Sequence, residues 1–177
     1  MLFKIGTLSL LFAAAACAGP ILWTLQGVTF NDGGTASGSF MFDAGTGQYS
    51  SIDITTTNGS ALTGSTYAFL DPGEAGFNGP AEVSLVASNA PNLTGSPFLS
   101  FVWQSNLTGA GGTMPFSTTL NSGETTCTNS GCTSINQGAG RLVTAGDITT
   151  GAIPEPATFL LVGCAMAGLG WKRRRLR

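Results

Sequence analysis

Between residues 19 and 152 apolar side chains recur at every second position far more than at every third or fourth, and clusters of Gly, Asn, Asp, Ser and Thr interrupt them. A period of two puts successive side chains on opposite faces of a strand, so this stretch predicts short strands joined by polar turns. Trp23 and Leu25 are expected to point one way and Val28 and Phe30 the other, with Gly27 where the phase changes. A glycine at such a place suggests a β-bulge. Asn31-Asp32-Gly33-Gly34 reads as a hairpin turn, because these residues tolerate positive φ. Ala36, Gly38, Phe40 and Phe42 then alternate with polar neighbours in a second strand. After the turn at 43–48, Ile52 and Ile54 alternate with Asp53 and Thr55 in a third. Later strands are expected at 81–87, 98–104, 114–120 and 141–144, with one more at 147–149.

About eight strands at this spacing predict an all-β domain, an antiparallel sandwich or barrel. Its expected core is Trp23, Leu25, Val28, Phe30, Phe40, Phe42, Ile52, Ile54, Leu85, Phe101, Trp103 and Leu142.

Composition narrows the chemistry. Only 9% of residues are charged and none is histidine. Histidine-based triads and zinc-histidine sites are thereby excluded. Five of the seven basic residues are Lys172, Arg173, Arg174, Arg175 and Arg177, and Lys4 is a sixth. Between Pro20 and Ile153 the only cation is Arg141, set against eight acids, so no nucleic-acid partner is expected.

The two ends carry signals of another kind. Residues 1–18 read as a secretory signal peptide: Lys4, an apolar run over 5–16, then Ala16 and Ala18 placing cleavage before Gly19. Cys17 offers a rival reading as a lipidated cysteine, although Ala14-Ala15-Ala16 lacks the Leu usual in a lipobox. At the other end Pro154-Glu155-Pro156 is followed by the uncharged run 157–171 and then by KRRRLR. The prolines favour an extended backbone. The run spans about 22 Å as a helix, short of a bilayer core of about 30 Å, and snorkelling cations can make up part of the difference. A transmembrane helix over 157–171 is therefore expected, with the basic tail as its cytoplasmic stop signal.

The order Pro-Glu-Pro, short apolar helix, Arg-rich tail resembles the PEP-CTERM sorting signal of Gram-negative bacteria, over 153–177. The segment TLQGVTFNDGGTASGSFMFDAGTGQYSSIDITT also resembles the opening of many PEP-CTERM passenger domains. The first resemblance implies recognition of Pro154, Glu155 and Pro156 by an exosortase. It also implies transient membrane retention by 157–171, then transfer to the cell surface or extracellular matrix. The expected organisation is thus 1–18 signal peptide, 19–152 exported β-rich domain and 153–177 sorting segment.

Few residues of the exported domain point to chemistry. Cys127 and Cys132 are expected to form a disulfide in an oxidising compartment. No metal or cofactor is expected: two thiols fall short of four ligands, and the Asp- and Asn-rich turns contain no calcium-binding repeat. Asp71 and Glu74 lie in one turn, and Asp32 and Asp43 flank the second strand, yet nothing selects a catalytic carboxylate pair. Trp23 and Trp103 read as core. Tyr49 and Tyr67, near turns, are the residues expected to be exposed for stacking on sugar rings. The expected function is a non-enzymatic surface or matrix protein of an exopolysaccharide layer. The alternative is a carbohydrate-binding module for that polymer.

Overall fold

The computed structural model describes residues 19–73, 78–136 and 138–151. The chain runs through β1 (Ile21–Phe30), β2 (Thr35–Asp43), β3 (Gln48–Thr56), β4 (Thr66–Tyr67) and β5 (Phe69–Leu70). It continues through β6 (Glu82–Val86), β7 (Pro97–Val102), β8 (Thr113–Pro115), β9 (Gly123–Thr126) and β10 (Arg141–Thr150). All pairings between them are antiparallel, in the order β4-β3-β2-β1-β10-β9-β7-β6-β5, with β8 on β10. The end strands β4 and β5 are separated in the chain by Ala68 alone. The sheet therefore curls until its edges meet, giving a nearly closed barrel, the second of the two expected forms. No helix occurs among the described residues.

Local sequence explains the course of β1. Trp23, Leu25, Val28 and Phe30 are all buried in one core, not split between faces as expected. Gly27 has φ +60°, and the pairing with β2 steps from Thr24↔Ser39 to Val28↔Ala36, which gives β1 one extra residue. That bulge resets the phase and returns the second pair to the interior. β2 crosses β3 closely at Gly38, whose φ is +120° and where a Cβ would strike the Asp53 carbonyl.

The expected core is largely in place, with two corrections. Ile52 is only half-buried against the core, and Leu142 is 44% exposed. Leu142 points out because its neighbour Arg141 takes the inward position on β10. The strand expectations shift as well. Residues 141–144 and 147–149 form one strand, and the expected strand at 114–120 is reduced to β8. The sequence reading missed β4, β5 and β9: the first two have two residues each, and β9 buries Glu124 and Thr125 in place of alternating apolar residues.

On β6 and β7 alternate residues serve two clusters. Val83, Leu85, Leu99 and Phe101 enter the barrel core, whereas Val86 and Phe98 join a smaller cluster with Leu93, Cys127 and Cys132. Burial on both faces makes these strands read as nearly continuous apolar runs.

Candidate functional site

The single cation of the exported domain is the centre of its most organised polar cluster. Arg141 is 1% exposed. Its Nε and Nη2 donate to Glu124 Oε2 at 2.9 and 2.6 Å, and its Nη1 lies 3.3 Å from Asp32 Oδ2. Glu124 Oε1 accepts the Tyr67 hydroxyl at 2.6 Å and the Thr56 hydroxyl at 3.2 Å. The Phe30 ring lies under the guanidinium, 4.3 Å from its carbon to the ring centroid. Asp32 also accepts the backbone amides of Gly34, Ala61 and Leu62.

Burial alone would raise the Asp32 pKa, but those three amides and Arg141 outweigh it and hold the carboxyl below its ordinary value. Tyr67 is pushed up, first by burial and then by the Glu124 charge. Every charge here is paired, so the cluster ties the β1–β2 turn, the 57–62 loop, β4, β9 and β10 together. The local sequence carried no signal for it: an arginine is almost never fully buried unless paired, and the acids that pair this one, Asp32 and Glu124, lie 109 and 17 residues away.

The tyrosines do not form a stacking face. Tyr67 is 0% and Tyr49 7% exposed, so the expectation that both are exposed is overturned. Tyr49 packs against Phe40 and Phe42, donates its hydroxyl to the Gly79 carbonyl at 2.8 Å and accepts Trp103 Nε1 at 3.2 Å. Burial first, and the Glu82 charge after it, raise its pKa against the lowering effect of the Trp103 bond. Trp23 and Trp103 are core, as expected.

Cys127 and Cys132 are joined by a disulfide, as expected. Asp32 precedes β2 and Asp43 is its last residue, so the two stand at opposite ends of the strand, and Asp43 caps the amides of Gly45 and Thr46. Asp71 is 1% exposed and accepts the Gly73 amide at 3.0 Å, with burial raising its pKa, while Glu74 lies outside the described residues. Among the described residues no group of three or more acidic or thiol side chains could hold a metal ion.

Besides a smaller one of about 230 Å³ beside Tyr49 and Asp71, two further cavities are found on the surface of the described residues. One of about 450 Å³ lies at the barrel seam, between residues 49–52 of β3 and 68–72. The other, about 520 Å³, is lined by β7, β9, the start of β10, Ile135, Asn136, Gly138 and Gly140. Leu142 and half-buried Ile135 supply its apolar surface, with buried Phe98 beneath them, and Ser100, Asn121 and Asn136 are among its polar groups.

Of the sorting residues, Gly19 is described and exposed. Ala16, Ala18, Pro154, Glu155, Pro156, Lys172, Arg173, Arg174, Arg175 and Arg177 lie outside the described residues, as does the helix expected over 157–171. No helix among the described residues is long and apolar enough to cross a membrane. Comparison with protein families matches residues 152–175 to the PEP-CTERM protein-sorting motif. The chain thus carries the signal of exported proteins that an exosortase processes and that are sorted to the cell surface. No curated protein and no solved structure matches it.

Proposed function

We propose that this chain delivers a passive, disulfide-bearing β-barrel to the cell surface or its surrounding polymer layer, and that the barrel acts there as a structural module without catalysis. The match to the PEP-CTERM motif at 152–175 carries this reading. In it, residues 1–18 direct export and are removed before Gly19, and 157–171 holds the chain in the membrane with Lys172 and the following arginines inside. Five cations cannot easily cross a bilayer, since each costs at least about 2.5 kcal/mol at its centre. Release therefore requires a cut outside Ala157, and Pro154-Glu155-Pro156, whose prolines favour an extended backbone, is the expected recognition segment at that boundary. The reading without catalysis draws on two of the buried acids, Glu124 and Asp32, which are engaged by Arg141 and further donors, while Asp71, among the described residues, is bonded through one carboxyl oxygen only, to the Gly73 amide.

Replacement of Glu155 by Ala tests the reading. In a host with the sorting enzyme, Glu155→Ala is expected to leave full-length protein in the membrane and little at the surface, read by immunoblot of both fractions. Release equal to the parent would make Pro-Glu-Pro a mere linker. A second reading, a carbohydrate-binding module for the surrounding polymer, draws support from the mixed polar and apolar cavity beside β9.

A further inference from the structure

We propose that the cavity bounded by β7, β9, the start of β10, Ile135, Asn136, Gly138 and Gly140 binds a segment of neutral glycan, an inference that rests on the second reading above. Sugar rings present apolar C–H faces and hydroxyls that both donate and accept. They need an apolar surface interleaved with groups of the same dual character. The cavity has this mixture. Leu142 and half-buried Ile135 provide the apolar part, with buried Phe98 beneath them, and Leu142 is 44% exposed on the outside of β10 because Arg141 occupies the inward position. Around them stand the exposed amides of Asn31, Asn121 and Asn136.

The wall carrying Asn136 is fixed to the barrel. Its backbone amide donates to the Thr126 carbonyl at 2.9 Å, and its carbonyl accepts the Thr125 hydroxyl at 2.6 Å. On the opposite side Asn31 Oδ1 accepts the Leu142 amide at 3.0 Å, which orients its NH₂ group for donation. A volume of about 520 Å³ lies within the range of small-ligand sites.

Charge selects the class of sugar. Among the described residues Glu124 and Arg141 are the only ionisable ones lining the cavity, and they are bonded to each other. The stretch between Pro20 and Ile153 has one base against eight acids, and that base is buried. A field of this sign repels uronate and sulfate groups. A neutral chain meets no such barrier.

The test uses the full chain in detergent. It is first applied to an array of neutral oligosaccharides (glucans, mannans, galactans) and of uronate and sulfated ones, then titrated calorimetrically with the best neutral ligand. Wild type is expected to bind neutral members. Asn121→Ala/Asn136→Ala and Leu142→Arg should each weaken binding at least tenfold. Both change exposed residues, and unchanged thermal unfolding curves would confirm intact folding. Ser50→Ala in the seam cavity should bind as wild type. Unweakened binding by the first two variants would overturn this cavity as the site while leaving the carbohydrate reading intact. Selective binding of acidic sugars would overturn the neutral class. Binding of no glycan would overturn both the site and the second reading.

Discussion

The barrel interior and the small cluster outside β6 and β7 bury apolar side chains by different means. The interior is wide and aromatic: Phe40, Tyr49, Phe101, Trp103 and Phe116 form a connected set of rings with centroids 5.1–5.8 Å apart. Strands enclose it, and one buried ion pair cluster tethers part of its wall. Among the described residues the outer cluster has only Val86, Leu93, Phe98, the two cysteines and part of Ile135. Two loops cover it and bond to each other, Leu93 to Ser130, Gly95 to Cys127 and Cys127 to Ser96. So few apolar groups stabilise little against the entropy of ordering two loops. The disulfide offsets part of that entropy, by about 2 kcal/mol for a ring of this size. The contrast teaches that the fold depends on buried charge pairing in one place and on an oxidising compartment in another.

Breaking the interior should have the largest effect. Arg141→Ala leaves Glu124 buried without its cation and is expected to cost about 3–5 kcal/mol, measured by denaturant unfolding. Arg141→Met combined with Glu124→Gln should cost less than Arg141→Met alone, because the uncompensated charge goes with its partner. A smaller and local loss is expected from Cys127→Ser with Cys132→Ser. The global loss is about 2 kcal/mol, and hydrogen exchange should speed up at 88–96 and 127–135 while β1, β2 and β10 stay protected. Equal acceleration in β1 and β10 would show that the two cores are one cooperative unit.

Acid sharpens the comparison further. The Asp32 pKa is lowered in the folded state, so its stabilising contribution is present above the unfolded value and lost as the pH falls through the folded one. Melting temperature should therefore fall more steeply below about pH 4 in wild type than in Asp32→Asn. The smallest effect is expected at Ser51, a non-glycine at φ +49° in a bulge where the β2–β3 register steps from Ser39↔Asp53 to Met41↔Ser50. Ser51→Gly relieves left-handed strain of about 1–2 kcal/mol against an entropic penalty of about 0.5–1 kcal/mol, for a net gain of at most about 1.5 kcal/mol in denaturant unfolding.

Much of the barrel was legible because alternation marks its longer strands: Phe40, Phe42 and Ile54 stand at period-two positions and are buried. The bulge at Gly27 was also legible, but its consequence was not. An extra residue can keep a face as well as switch it, and only the pairing partner decides which. Hydropathy selects Leu142 over Arg141 for the core, yet Glu124 and Asp32, distant in sequence, reverse that choice. Tyr49 and Tyr67 looked exposed from nearby turns, but their hydroxyls find partners at Gly79 and Glu124 that no local pattern announces. The sorting signal is the opposite case. Its information lies in consecutive residues, so sequence alone identified it.

The most direct test of the proposed function is the intact mass of the protein recovered from the cell surface of a host with the sorting enzyme. The expected species begins at Gly19, ends before Ala157 and carries one disulfide. A surface species whose mass still includes 157–177 would contradict delivery by cleavage at the sorting segment.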